Sequence, residues 1–273
     1  MSDPVPAVSE AAATGETAAL FADIRAVYGV SVVNLVWRHL ATMPGALAHV
    51  WGGLRPLYRD GTIACEAAAL RADLAVPEAA RLPPFVLASA GLDDAAMAAI
   101  RDVLAAYDRT NAMALVALSA ARERLAGRVG PMVALPPSAP PPPAPLRLPP
   151  LVDLSAMAPA TASLVVALNR LGAVQPAPVL ASMYRNLAHW PGFLALAWGV
   201  VAPLDADGRL AAAIAEALRM ARTRAAALPP PPEDVPPLDP ALRPQVDAAL
   251  ALFTGDAISR MLVVTAVLRR AVG

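Results

Sequence analysis

The chain has 273 residues, 57% of them hydrophobic and 16% charged, which supplies enough apolar side chains for a large core in one or two domains. The formal net charge is zero, so charge gives no reason to expect nucleic acid or a membrane surface as a partner. The single cysteine, Cys65, excludes an internal disulfide, and three histidines give little support for a metal site. The N-terminal residues lack the pattern of a signal peptide, which predicts a cytoplasmic location.

The dominant residues Ala, Leu, Arg and Met favour helix, and few segments alternate with the period of a strand, so the predicted fold class is all-α. Residues 1–16 are small, polar and acidic and predict a disordered tail. Residues 17–135 form a first predicted repeat. Its apolar periodicity predicts helices over residues 18–28, 30–41, 46–57, 62–74 and 95–125, the last of them interrupted or bent.

A proline-rich stretch, PPSAPPPPAPLRLPP at residues 136–150, separates the two halves of the chain. Such a run favours extended polyproline conformation and predicts a linker. Residues 151–273 form a second predicted repeat with its own proline-rich loop at 229–240. Its helices are predicted over residues 162–171, 179–188, 193–204, 210–228 and 241–272.

The two halves share a sequence pattern. Residues 37–61 and 184–208 align at an offset of 147 residues, and 13 of the 25 aligned positions are identical, including paired Pro-Gly and Asp-Gly. A period this long indicates a duplicated domain, since solenoid repeats are roughly 20–50 residues long. We therefore expect two tandem pseudo-symmetric helical repeats packed as an intramolecular pseudo-dimer, with a small-molecule site in the groove between them.

Three polar residues lie in apolar segments where such a site could form. Asn34 lies in the apolar stretch 30–41, and its amide either contacts a ligand or is hydrogen-bonded to a neighbouring backbone carbonyl. Asn111 begins the apolar run after YDRT, and Tyr107 lies one helical turn before it on the same face. His39 and His189 have no companions of metal-binding or catalytic type, so we expect ordinary surface or interface residues.

The strings VNLVWRHLATMPGAL, SMYRNLAHWPGFLALAW and YDRTNAMAL together resemble the group I 2-haloacid dehalogenases, the DehI-type family. The resemblance covers both halves of the chain and implies an all-α fold of two tandem repeats with the active site between them. It also implies hydrolysis of the carbon–halogen bond of short 2-haloalkanoic acids by direct water attack, without a cofactor. The expected partner is a small-molecule substrate, and whether the chain also forms a homodimer stays open.

In that family an Asp carboxylate is the general base, and a pocketed Asn helps to hold the attacking water. The resemblance assigns the role of this Asn to Asn111. It assigns the first-half pocket lining to residues 30–34, which include Ser31 and Asn34. The remaining expected lining residues are Tyr107, Gln175, Ser182 and Phe253.

The sequence departs from the family at the position of the base. The stretch before the second copy of the motif, GAVQPAPVLAS at residues 172–182, contains no Asp or Glu. Asp153, which precedes the second repeat, is the remaining candidate for a base that acts with Asn111. Three hypotheses stay open: a dehalogenase with a displaced base, a catalytically inactive relative that binds a small carboxylate or other ligand between the repeats, and an enzyme of another reaction class. A carboxylate facing the pocket within reach of Asn111 would favour the first hypothesis, and its absence the second.

Overall fold

The computed structural model describes residues 5–30, 32–128 and 148–273. Over these ranges the regular secondary structure is helical, so the predicted all-α class is confirmed. The helices of the first half are α1 (Gly15–Tyr28), α2 (Leu35–Leu40), α3 (Ala46–Arg59), α4 (Thr62–Asp73), α5 (Pro84–Ser89) and α6 (Asp94–Leu125). Those of the second half are α7 (Pro159–Arg170), α8 (Ser182–Leu187), α9 (Pro191–Ala206), α10 (Arg209–Ala226), α11 (Arg243–Leu252) and α12 (Ser259–Val272).

The N-terminal segment differs from the predicted disordered tail. Residues 5–16 are ordered and include a 3-10 turn at Glu10–Ala12 and the first turn of α1. The Glu10 side chain fixes this segment, since it forms an ion pair with Arg25 and accepts a hydrogen bond of 2.8 Å from the backbone N–H of Val33. The two contacts of Glu10 hold this segment against the fold, and the composition of the segment gives no sign of them.

Two further helices differ from the sequence prediction. Helix α2 begins at Leu35, with Asn34 at its N-cap, so the apolar residues before Asn34 belong to an irregular segment. Helix α5 was not among the predicted helices. It begins at Pro84, and proline is well suited to a first helical position.

The long helix α6 is continuous, although a break or bend was expected. The Asp93 side chain caps its start by accepting a hydrogen bond of 2.8 Å from the backbone N–H of Ala96. Helix α6 packs along α12, and α4 and α10 both pack against α6. Most of the second half of α6 is therefore buried, and this helix forms the centre of the core.

The closing helix of the second half is interrupted between α11 and α12. Residues Phe253–Ile258 form a π-helical turn, which changes the direction in which the following side chains leave the helix. The stretch Pro240–Val272 is long and apolar enough to cross a membrane by length and composition, but 72% of its most apolar window is buried inside the fold. Its apolar surface is thus used mainly for packing against the protein itself.

Several contacts recur at the offset of 147 residues. Gly61 and Gly208 both adopt left-handed conformations at helix N-caps, with φ of 84° and 81°. Next to them, the carboxylates of Asp60 and Asp207 accept hydrogen bonds of 2.9 and 3.0 Å from the backbone two residues further on. These recurring turns support the predicted repeat.

The two halves also cover each other in the same way. The carbonyl oxygen of Pro237, from the second half, would lie 3.8 Å from a Cβ at Gly45. The carbonyl oxygen of Ala90, from the first half, lies so close to Gly192 that a Cβ there would collide with it. Gly45 and Gly192 are related by the offset of 147 residues, and so are Ala90 and Pro237. Most of the predicted linker lies outside the described residues, which resume at Leu148.

Candidate functional site

A cavity of about 250 Å³ lies where segments of both halves meet. Its walls are formed by residues around the start of α2, the middle of α6, the segment leading into α8, the π-helical turn and residues 148–151. Valine, leucine, isoleucine and methionine side chains make up much of the surface. The uncharged polar side chains on the described wall belong to Asn34, Tyr107, Thr110, Asn111, Ser182 and Asn186.

Tyr107 and Asn186 join three parts of the wall. The Tyr107 hydroxyl donates a hydrogen bond of 2.7 Å to Oδ1 of Asn186, and Nδ2 of Asn186 donates one of 2.6 Å to the carbonyl oxygen of Pro149. Burial raises the pKa of the Tyr107 hydroxyl well above its usual value, so this group stays protonated at neutral pH. It therefore acts as a donor in the wall and does not supply a base.

The side-chain amide of Asn111, unlike that of Asn186, has an unpartnered donor. Asn111 is only 7% exposed, and its Nδ2 group has no hydrogen-bond partner among the described residues. Thr110, the preceding residue, has partners for both its hydroxyl and its carbonyl. The hydroxyl donates a hydrogen bond of 2.9 Å to the carbonyl oxygen of Ala106, and the carbonyl oxygen accepts one from the hydroxyl of Tyr28. Because a buried donor without a partner is costly, Asn111 presents an amide suited to a ligand or a water molecule.

The charged side chains on the described wall are both arginines, Arg38 and Arg109. No carboxylate of a described residue pairs with Arg109, and burial lowers the pKa of its guanidinium from the usual value. Arginine nevertheless stays charged at neutral pH, because its pKa starts above 12. The described wall therefore carries positive charge and no negative charge.

Two acidic residues that are next to wall residues in sequence do not line the cavity and have partners outside it. Asp108, between Tyr107 and Arg109, is buried and forms ion pairs with Arg71 at 3.0 Å and with Arg269. Asp256, in the π-helical turn, is also buried and accepts a hydrogen bond of 3.3 Å from the backbone N–H of Val174. Its second partner is a fully buried arginine, Arg260, at 3.4 Å.

Five of the expected lining residues lie at this cavity: Asn34, Tyr107, Asn111, Ser182 and Phe253. Gln175 was wrong, because it lies in an exposed part of the loop before α8 and does not contact the cavity. Ser31 lies outside the described residues. The functional roles assigned to these residues stay predictions.

The candidate base Asp153 is also outside the cavity. Its side chain is 76% exposed and forms an ion pair with Arg185 at the protein surface. The guanidinium of Arg185 is bound at the same time to the carbonyl oxygen of Val152 at 3.0 Å, which fixes the arginine beside Asp153. Asp153 is thus held towards solvent, and the prediction that it reaches over to Asn111 is wrong.

Sequence reasoning missed Arg109, Thr110 and Asn186 as wall residues. Helical spacing alone would have placed Thr110 next to Tyr107 and Asn111 on α6. Asn186 corresponds to His39 at the offset of 147 residues, and both side chains contact a proline carbonyl, with His39 Nδ1 at 2.7 Å from the Pro6 oxygen. Because one position has asparagine and the other histidine, the sequence pattern did not reveal that Asn186 and His39 are equivalent.

The class of the fold follows from its likeness to solved structures. A complex of a D-2-haloacid dehalogenase mutant with D-2-CPA is 19% identical with a TM-score of 0.81. A second D-2-haloacid dehalogenase mutant is 20% identical with a TM-score of 0.79, and a complex of the enzyme with L-LA is 19% identical with a TM-score of 0.78. Each likeness covers 99% of this chain and 97% of the other.

The chain therefore has the D-2-haloacid dehalogenase fold over almost its whole length. No protein-family model matches the sequence, and no curated protein matches it. Among the described residues, no group of three or more His, Cys, Asp or Glu side chains could hold a metal ion.

Proposed function

We propose that this protein binds a short carboxylate in the cavity between its two halves without hydrolysing it. The observation that carries the proposal is the composition of the described wall, which has two arginines and an unpaired amide but no carboxylate, imidazole, thiol or amine. Outside the described residues, the stretch 129–147 contains no Asp or Glu, and residues 1–4 contain one acidic residue, Asp3.

Direct attack by water requires a group that removes a proton from it. The Ser182 hydroxyl and the amides of Asn34 and Asn111 are far too weakly basic for this task at neutral pH. Tyr107 is kept protonated by burial. Covalent catalysis through a lysine amine is excluded as well, because the chain contains no lysine.

A carboxylate ligand fits the charge and the size of the cavity. Arg109 has no carboxylate partner among the described residues, and its positive charge at the wall favours an anion. The cavity volume of about 250 Å³ is smaller than the roughly 300–1,000 Å³ of pockets for drug-sized ligands, so the cavity suits a small molecule. The apolar side chains that complete the wall suit a short hydrocarbon chain attached to the carboxylate.

Calorimetric titration with propionate tests the proposal. We expect saturable binding at one site, and at least tenfold weaker binding of propionamide, which has the same shape without the charge. The variant Arg109→Gln separates the cavity from other sites, because it removes a positive charge from the wall and should weaken propionate binding there. Equal affinity for propionate and propionamide, or no binding of either, would contradict a carboxylate site.

A dehalogenase is the second candidate. The fold likeness and the position of Asn111 at the cavity favour it. Halide release from D- and L-2-chloropropionate, each with the unchanged protein and with Asp153→Asn, tests this alternative. Release that Asp153→Asn abolishes would establish a displaced base, and release that survives would require a base elsewhere.

A further inference from the structure

We infer that the ligand is a short 2-oxo carboxylate whose charged end contacts Arg109 and whose C2 oxygen accepts a hydrogen bond from Nδ2 of Asn111. This inference rests on the proposed carboxylate binding and specifies its ligand. Two separate features of the wall carry it, a cation without a carboxylate partner and a buried donor without an acceptor.

The two groups are arranged on opposite flanks of the α6 face at the cavity. Successive residues of an α-helix are separated by about 100° around its axis. Arg109 and Asn111 therefore lie roughly 100° on either side of Thr110, and all three residues line the cavity. A ligand lying across this face would have its charge at one flank and a hydrogen-bonding atom at the other.

Arg109 is the cationic flank. Its partly buried guanidinium has no carboxylate partner among the described residues, whereas the neighbouring acid Asp108 is already paired with Arg71 and Arg269. Burial makes an unpaired guanidinium less stable than a paired one, and a carboxylate offers it two parallel hydrogen bonds. The charged end of the ligand is therefore assigned to this flank.

Asn111 requires an acceptor at the other flank. Its Nδ2 group is a donor, so it discriminates among ligands by the atom attached to C2. A carbonyl oxygen accepts a hydrogen bond strongly, a methylene group does not accept one, and organic halogen is a weak acceptor. An oxygen at C2 would therefore bind better than hydrogen or chlorine.

A carbonyl suits the site better than a hydroxyl, which also brings a proton that needs an acceptor. Oδ1 of Asn186 already accepts from Tyr107, and the Thr110 carbonyl already accepts from Tyr28. A 2-hydroxy acid therefore needs one of the remaining wall oxygens to accept its proton, whereas a 2-oxo acid makes no such demand. The expected order of affinity is pyruvate, then lactate, then propionate and 2-chloropropionate.

Competitive calorimetry with these four carboxylates tests the assignment. We expect pyruvate to bind roughly tenfold more tightly than propionate, the magnitude of one hydrogen bond to a buried donor. In Asn111→Ala the two ligands should bind with equal affinity. A pyruvate-to-propionate ratio near one in the unchanged protein, a ratio that persists in Asn111→Ala, or tighter binding of lactate than of pyruvate would overturn the inference.

The charged flank has its own test. Arg109→Gln should weaken all four carboxylates by a similar factor of about 10 to 100, because it removes the charge but leaves the donor at Asn111. Arg81→Gln, in an exposed loop away from the cavity, is the matched control and should change no affinity by more than about twofold. Unchanged binding in a folded Arg109→Gln protein would overturn the role of Arg109.

These outcomes separate the inference from the proposed function. If no carboxylate binds, both fail. If all four bind with equal affinity, carboxylate binding stands and the 2-oxo assignment fails.

Discussion

The cavity wall and the layer directly behind it have opposite polar character. The described wall contains amides, hydroxyls and two arginines, and one amide has no partner. Behind it, Glu10, Asp108 and Asp256 are each bound to at least two partners. The contrast teaches that acidic side chains next to this cavity support its wall and are held away from its contents.

The support is direct in both halves. Glu10 binds the backbone N–H of Val33, which lines the cavity. In the second half, Asp256 binds Arg260, and Nη1 of Arg260 donates a hydrogen bond of 2.6 Å to the carbonyl oxygen of Asn169. Oδ1 of Asn169 in turn accepts a hydrogen bond of 3.0 Å from the backbone N–H of Ala181 at the cavity. A buried charge thus fixes the segment that leads into α8.

Removing the charge of Asp256 should have the largest effect on stability. Asp256→Asn keeps the shape of the side chain but leaves Arg260 fully buried without a counter-ion, which costs about 3–5 kcal/mol in comparable pairs. Urea unfolding measures the loss. The surface pair gives the control, since Asp153→Asn should change the free energy of unfolding by less than about 1 kcal/mol. Equal losses in the two variants would refute the supporting role of Asp256.

Alkaline pH should destabilise the protein, because the buried hydroxyls are maintained in their neutral form. Burial raises the pKa of Tyr184 from 10.0 to about 12 and also raises those of Tyr28, Tyr58 and Tyr107. A group with a raised folded-state pKa contributes stability below pH 10 that is lost as the pH rises through the folded-state value. For Tyr184 the loss is roughly 3 kcal/mol once the pH exceeds its folded-state pKa.

Arg124 acts in the opposite direction in the same range. Burial lowers its pKa from 12.5 to about 10, so the unfolded state binds more protons there and stability would rise with pH. Burial also lowers the pKa of Arg109, so two arginines oppose four tyrosines, and the net effect should be a loss. Urea unfolding from pH 8 to 11, with tyrosinate absorbance followed in parallel, checks this. Constant stability over the range would contradict the burial of these hydroxyls.

Placing a carboxylate inside the cavity should weaken the binding of a carboxylate ligand, because the described wall has no negative charge of its own. Ser182 lines the cavity at the first position of α8, where an acidic side chain is compatible with the helix start. Ser182→Asp should weaken propionate binding about tenfold or more through like-charge repulsion. The neutral variant Ser182→Asn should change it by less than about threefold. Similar effects of the two substitutions would show that charge in the cavity does not control binding.

The sequence identified Asn111 and Tyr107 because helical spacing in a long apolar segment places them on one face. It placed the start of the second helix too early, because the apolar residues before Asn34 resemble a helix although α2 begins only at Leu35. No local signal revealed the π-helical turn, in which Phe253 and Asp256 point in different directions.

Long-range pairing was the other limit of the sequence analysis. Asp153 is withdrawn from the cavity by Arg185, 32 positions away, and only the folded chain shows that contact. Asn186 enters the wall through Tyr107, which belongs to the other half. Such contacts depend on how the halves pack, which residue patterns within one segment do not encode.

The central claim is that the cavity binds a carboxylate and does not hydrolyse it. A titration with D- and L-2-chloropropionate, in which the heat of binding and free halide are followed on the same sample, tests it most directly. We predict saturable heat from at least one enantiomer with no halide above the buffer control, because no carboxylate or imidazole of a described residue lines the cavity. Halide that accumulates in multiple equivalents over the protein would contradict the account.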